Sequence, residues 1–275
     1  MVRAKGREAA SYGFDAPRLM RGCLLAGGIG LALGASLAAA VDGWLRITGL
    51  VILIVACAPA FLGLTMVGYA LFGKRRMRDL MIGRVAWRGD EQVLDIGTGR
   101  GLLLVAAAKR LGPGGYAIGI DLWRAEDLSD NTMDALALNL AAEGVEDRAG
   151  IRTEDARALS AADGSVDVVL SLYCVHNIAD EAGQRDACRE IARVLAPGGR
   201  ALIADLVPTG RYAGYLGEAG LAVRSSRPYW LTAFAPMWMV EAEKPGERGP
   251  RRSAAPAASV PTSRIQGEFT ASAAP

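Results

Sequence analysis

Val93-Leu94-Asp95-Ile96-Gly97-Thr98-Gly99-Arg100-Gly101 is the stretch on which the fold turns. A short apolar strand enters three alternate glycines and leaves into Leu102–Leu111, which reads as a helix. Glycine permits backbone conformations and a close ligand approach that a Cβ would obstruct. In an open α/β sheet the ligand lies in the crevice beyond the carboxyl end of such a strand. The dinucleotide fingerprint GxGxxG/A requires Gly or Ala where Leu102 stands. The spacing here is DxGxGxG instead. Asp95 sits two residues before the first glycine, where a pyrophosphate would be repelled and an ammonium held, directly or through water.

Working outward, apolar strand runs alternate with helical ones. Tyr116–Leu122 is a second strand, Asn131–Glu143 a helix ended by Gly144, Gly150–Thr153 a weak third strand and Val166–Leu172 a strong fourth. Gln184–Leu195 is a helix stopped by Pro197-Gly198-Gly199, and Arg200–Val207 is a fifth strand. Tyr212–Gly220 is a short helix, and Ala222–Arg227 and Trp238–Ala242 close the sheet. This order predicts an α/β fold with a mostly parallel sheet covered by helices on both faces. Asp121, ending the second strand, can accept from both ribose hydroxyls, a role an NAD enzyme also needs. Asp155 follows the third strand, placed either to accept from an adenine amino group, with the Ala156 N–H facing a ring nitrogen, or as an exposed loop acid. The end of the fourth strand, Ser171–Asn177, lies beside the expected reaction centre.

Taken together, Val93–Gly101, Ala117–Asp121, Glu154–Ala156, Val166–Leu172 and the LxPGG turn Leu195-Ala196-Pro197-Gly198-Gly199 make residues 91–244 resemble a class I S-adenosylmethionine-dependent methyltransferase of the type 11 kind. The resemblance covers about 150 of the 275 residues. It implies a Rossmann-like seven-stranded sheet with the last strand antiparallel, and S-adenosyl-L-methionine as cofactor. It implies that Asp95, Gly97, Thr98, Gly99 and Gly101 surround the methionine end of the cofactor, and Asp121 and Leu122 the ribose. By the same resemblance Asp155 and Ala156 take the adenine, while Ser171 and Leu172 lie under the cofactor. The link Leu122–Asn131 is longer than the family's usual one, and Trp123 within it covers the adenine, shapes the acceptor pocket or simply packs.

The donor of such a reaction is already activated, so the protein must mainly position and desolvate the acceptor. A general base is needed only when the nucleophile carries a proton. Tyr173, His176 and Asn177 are the catalytic candidates. His176, the sole histidine, either takes that proton or hydrogen-bonds the backbone and orients the loop. Rival readings are an NAD(P)-dependent oxidoreductase on a similar fold and a non-catalytic, cofactor-binding membrane adaptor.

The remainder of the chain is unlike this domain. Residues 1–21 are basic; residues 22–41 and 47–72 are uncharged runs, each long enough to cross a bilayer, joined by a short break containing Trp44 and Arg46. Basic residues flank the pair outside, which under the positive-inside bias puts both ends, and the catalytic domain, in the cytoplasm. Gly30 and Gly34 form a GxxxG, and Pro59 is expected to kink the second run. Ala38-Ala39-Ala40 also resembles a signal-peptide cleavage site. Residues 73–90 form a basic amphipathic connector, suited to an anionic lipid surface or to packing on the domain as its first helix. Residues 91–245 form the methyltransferase domain, and 246–275 a tail too polar and Pro/Gly-rich to order itself.

The chain is 51% hydrophobic with a formal net charge of only +2, so bulk charge calls for no nucleic-acid partner. Cys23, Cys57, Cys174 and Cys188 have no metal-ligand spacing, and no metal is expected. The expected partners are membrane lipids and a small methyl acceptor. A hairpin at the inner leaflet favours an acceptor that is apolar or lipid-soluble.

Overall fold

The computed structural model describes residues 10–40, 42–206, 209–233 and 237–247. Seven strands form one sheet: β1 Gln92–Ile96, β2 Tyr116–Asp121, β3 Ala149–Thr153, β4 Val166–Leu172, β5 Leu195–Asp205, β6 Ala222–Pro228 and β7 Trp238–Glu243. Their spatial order is β3-β2-β1-β4-β5-β7-β6, and β7 runs antiparallel to both neighbours. β1 and β4 are near-continuous apolar runs because the sheet is covered on both faces. One core contains Met77, Leu104, Leu136, Leu170 and Met239; the opposite one contains Ile96, Val169, Ile191, Ile203 and Tyr212.

Register sets the position of the site. Ile96 stands opposite Ile120 on one side and Ser171 on the other. Gly97, Asp121 and Leu172 therefore emerge together at one sheet edge. The chain order reverses at β1, which pairs with both β2 and β4, and that reversal leaves a crevice between the loops that follow them.

The sheet is flanked by α4 Leu102–Ala108, α5 Met133–Glu143, α6 Glu181–Val194, α7 Gly210–Glu218 and the single turn α8 Trp230–Ala233. Side-chain caps move two helix starts from their expected places. Thr132 accepts from the Ala135 N–H, so α5 begins at Met133 rather than Asn131. Asp180 accepts from the Gly183 N–H, so α6 begins before Gln184. β5 begins at Leu195 instead of Arg200, because the Pro197-Gly198-Gly199 turn lies within an irregularity of its pairing with β4. α8 had no counterpart in the sequence reading.

Before the sheet stand two long apolar helices, α1 Pro17–Ala40 and α2 Trp44–Gly68. They pack on each other through small residues. A Cβ on Gly34 would lie 2.8 Å from the Gly49 carbonyl oxygen, and one on Gly30 would lie 2.6 Å from the Ala56 Cβ. Their outer surfaces carry exposed Ile29, Ile54 and Phe61, each at least 66% accessible. α2 passes through Pro59 without ending, then leads by one π turn, Tyr69–Gly73, directly into α3 Lys74–Gly83. The apolar side of α3 is not free to meet lipid: Met77, Met81 and Ile82 are buried in the domain core.

Residues 10–16 form a strap that lies along the loop after β2. The Ser129 N–H donates to the Phe14 carbonyl at 3.0 Å, and the Ala16 N–H donates to the Asp127 carbonyl at 2.9 Å. The expectations for residues 1–9 and for the tail beyond Glu247 lie outside the described residues.

Candidate active site

A cleft opens at the carboxyl edge of β1, β2 and β4. Gly97 and Gly99 turn the chain there with φ of +69° and +52°, conformations that favour glycine. A Cβ on Gly97 would lie 2.3 Å from the Cys174 sulfur, so the two loops leaving β1 and β4 are in contact. Gly101 plays a different part. It is outside the cleft lining; its φ of +84° starts α4, and a Cβ there would strike Leu136 at 2.3 Å. Its place in the structure is that of a backbone turn packed on α5.

Asp95 is 1% exposed, lines the cleft and accepts from Thr98 Oγ1 at 2.8 Å and from the Leu104 N–H at 3.0 Å. Burial pushes its carboxyl up to about 7, against the pull of those two hydrogen bonds. The Leu104 N–H belongs to the first turn of α4, so Asp95 occupies the anion position that a dinucleotide's pyrophosphate would need. Asp121 accepts from the Gly99 N–H at 2.8 Å and the Trp123 N–H at 2.7 Å, which fixes it across the cleft from Asp95. Trp123 has a φ of +57°, and its indole N–H donates to Thr153 Oγ1 at 2.7 Å. That hydrogen bond ties the long link after β2 to the end of β3.

Asp155 and Ala156 line the far end of the cleft, with Asp155 held below the usual carboxylate range by hydrogen bonds from Arg157. Thr98, Leu122 and Leu172 also line it, whereas Ser171 does not. Ser171 is fully buried in β4, its hydroxyl without a hydrogen-bond partner. Its backbone stands in β4 opposite Ile96 of β1, one residue before Leu172 reaches the cleft.

The three catalytic candidates separate. Tyr173 and Asn177 line the cleft; His176 does not. His176 Nδ1 lies 2.5 Å from Oδ1 of the fully buried Asp205, a close contact not aligned as a hydrogen bond. The His176 N–H donates to the other Asp205 oxygen at 3.0 Å. This anchors the loop that carries Tyr173, whose φ of +62° is a strained conformation for a side chain of that size.

Several lining residues escaped the sequence reading: Asp15, Tyr69, Lys74, Arg100, Asp127 and Asn131. Tyr69 stacks on Tyr173 with ring centroids 5.1 Å apart. Lys74 is 4% exposed; its ammonium donates to the Tyr12 carbonyl at 2.7 Å, to the Gly13 carbonyl and to Asp15 at 3.4 Å. The only hint in the sequence was a charged residue standing at each foot of the apolar hairpin.

Seven carboxylates, among them Asp15, Asp95, Asp121 and Asp155, line the cleft against four cations. That balance fits a ligand bearing a sulfonium and an ammonium, with a ribose and a base at the far end. It does not fit a pyrophosphate. Among the described residues no acid, histidine and cysteine cluster could hold a metal ion.

Comparison with known proteins agrees. Residues 93–199 match the family model described as a methyltransferase domain. An arsenite methyltransferase of Halobacterium salinarum is 40% identical over 119 residues, 43% of this chain and 28% of that one. The 27-O-demethylrifamycin SV methyltransferase of Amycolatopsis mediterranei is 32% identical over 136 residues, 49% of this chain and 46% of its own. The chain thus spans less than half the length of these curated relatives. An O-methyltransferase family protein from Burkholderia thailandensis shares the fold, with a TM-score of 0.52 and 19% identity over 70% of this chain and 61% of that one. With the sheet order, the DxGxGxG turn and the acid-lined cleft, these matches make residues 93–199 a methyltransferase domain similar to those of class I S-adenosylmethionine-dependent methyltransferases.

Proposed function

We propose that the protein is anchored in a membrane by α1 and α2 and methylates a small, lipid-soluble acceptor at the foot of that hairpin. The observation that carries this reading is the position of the acceptor end of the cleft. The cleft runs from Asp155 and Ala156, past Asp121 and Asp95, to Tyr69, Tyr173 and the 10–16 strap. Tyr69 belongs to the turn that continues α2, and the strap leads straight into α1. An acceptor dissolved in lipid would therefore meet the site where the two helices leave the bilayer. The exposed apolar surfaces of α1 and α2 favour lipid over water as their surroundings.

S-adenosylmethionine supplies an activated methyl group on a cationic sulfur. In this reading Asp95 faces the ammonium, Asp121 receives the ribose hydroxyls and Asp155 with Ala156 takes the adenine. Tyr173 and Asn177 border the reacting centre, and His176 acts through Tyr173 as a positioning residue. The chain's remaining task is to desolvate and aim the acceptor, which near-attack geometry rewards strongly.

The arsenite of the Halobacterium relative is not assigned to this chain. Trivalent arsenic is soft and seeks several thiolates. Of the four cysteines only Cys174 lines the cleft, and burial pushes its thiol up, away from the thiolate.

Membranes containing the protein, incubated with donor labelled in the methyl group and then extracted with organic solvent, test the proposal. Label is expected in the lipid extract. Label confined to the aqueous phase or to protein would overturn the acceptor class. Recovery of the protein in the soluble fraction without detergent would overturn the anchor.

A further inference from the structure

The strap puts an ionisable group where the established motifs supply none. Asp15 lines the cleft, on the same side as Tyr69 and Tyr173, and its backbone bridges to Leu128 in the loop after β2. Its carboxylate is 3.4 Å from the Lys74 ammonium. That ammonium is also held by the Tyr12 and Gly13 carbonyls, so its three protons are spent on the strap. Lys74 is thus a positioning residue that fixes Asp15 in place. Beside it, Tyr69 stacks on Tyr173, and the pair forms an aromatic border at this end of the cleft.

We propose that Asp15 is the general base of the reaction, and that its substrate is a hydroxyl on a planar apolar ring bordered by Tyr69 and Tyr173. The inference rests on reading the cleft as a methyl-transfer site. In the step, the ring O–H bond breaks and its proton passes to the Asp15 carboxylate. The freed oxygen pair forms the O–CH3 bond while the S–CH3 bond breaks, and that electron pair stays on sulfur as a neutral thioether.

A planar ring suits an aromatic border because ring faces and edges attract one another beyond the area they bury. A partly buried carboxylate suits a ring hydroxyl because it is a stronger proton acceptor than a surface aspartate. Burial pushes the Asp15 carboxyl up and Lys74 restrains it. His176, Tyr69 and Tyr173 are the other titratable groups that bear on it. His176 does not line the cleft, and burial pushes the Tyr173 hydroxyl up and keeps it protonated, so that neither is the readier base.

The test uses the full chain in phosphatidylcholine–phosphatidylglycerol vesicles with methyl-labelled donor. 4-Nonylphenol is the acceptor probe, and its methyl ether is the blank. The wild type is expected to label the phenol and not the ether. Asp15→Asn should lower turnover by about 100-fold or more, the range for loss of a general base. It should leave S-adenosylhomocysteine affinity within about twofold, since that product lacks the sulfonium charge and Asp15 lies at the acceptor end, away from Asp95, Asp121 and Asp155. Asp15→Glu should recover part of the rate.

Turnover of Asp15→Asn within threefold of the wild type would overturn the proposal. So would a loss of rate that tracks a fall in melting temperature and returns on cooling, which would make the pair a clasp only. A wild type that binds S-adenosylhomocysteine, labels membrane extracts and ignores the phenol would overturn this acceptor class alone. A wild type that does not bind S-adenosylhomocysteine would overturn the underlying reading instead.

Discussion

Asp95→Asn should make the ligand-free protein more heat-stable at pH 8 while weakening its hold on the nucleoside. An unfolded aspartate ionises near 3.8, whereas burial raises the folded Asp95 to about 7. The folded group thus keeps a proton that the unfolded one has lost. Its contribution to stability is full below about pH 3.8 and is lost as pH rises through about 7. The displacement from 3.8 to about 7 corresponds to about 4 kcal/mol, all of it weighing against the folded state above pH 7. The asparagine carries no such penalty. Its carbonyl can accept from Thr98 Oγ1 and the Leu104 N–H as the carboxylate does. Its amide brings a buried donor that costs about 1–3 kcal/mol if unpaired. A net gain of about 1–3 kcal/mol remains at pH 8, or a melting temperature higher by roughly 2–12 °C. Between pH 7 and pH 5 the wild type regains about 2 kcal/mol, so the advantage should vanish or reverse. Tryptophan-fluorescence melts of the full chain in detergent, from pH 5 to pH 9, measure the difference. A difference that stays flat with pH would refute the reasoning. The affinity loss has its own signature: binding of S-adenosylhomocysteine by the wild type near pH 7 should release a proton as its ammonium ionises Asp95. Calorimetry in two buffers of unlike ionisation enthalpy should detect that proton, and the variant should release none.

Gly97→Ala should abolish nucleoside binding with the sheet intact by circular dichroism, because the new methyl meets Cys174 at 2.3 Å and the residue keeps a φ of +69°. Gly34→Leu should drive α1 from the Gly49 carbonyl and lower the melting temperature in detergent, while calorimetric S-adenosylhomocysteine affinity stays within about twofold. Met81→Ala, at a fully buried position between α3 and the sheet, should cost about 2–5 kcal/mol in denaturant titration.

The nucleoside half of the site was legible because it is written in local chain geometry. A strand must end in residues that tolerate positive φ before the chain can approach a ligand, and Gly97 and Gly99 announce this at fixed spacing. Gly101 and Ser171 lie outside the cleft lining for the complementary reason. A glycine that turns into a helix, or a serine inside a strand, looks the same in sequence whether it faces ligand or protein. The caps at Thr132 and Asp180 carry a local signal that the apolar runs alone had overshadowed. The acceptor half had no local signal. Asp15 and Lys74 are 59 residues apart and meet only because the intervening hairpin returns the chain to its starting point. Tyr69 likewise reads as the polar end of an apolar run until a π turn brings it onto Tyr173.

That return has a mechanical consequence. The strap precedes α1 and Lys74 follows α2, so the two feet of the hairpin are clasped to each other at the mouth of the cleft. Gly73 leaves no freedom in the join: a Cβ there would lie 1.8 Å from the Ala233 carbonyl oxygen, so the base of α2 is seated against α8. α2, the π turn and α3 form one continuous helical path, and α3 is fixed in the domain core by Met77 and Met81. α1 has no such continuation; its foot reaches the domain through the strap. Any shift of α1 along α2 must therefore be taken up by the strap, and it reaches Asp15 before it reaches Asp95 or Asp121, which sit on the rigid sheet edge. The Lys74 ammonium, held by Asp15 and by the Tyr12 and Gly13 carbonyls, is the joint through which the clasp resists such a shift. In the proposed arrangement the packing of two helices in the bilayer thus bears on the acceptor end of the cleft and leaves the nucleoside end untouched. The same division accounts for why the family motifs describe one end of the site and say nothing of the other.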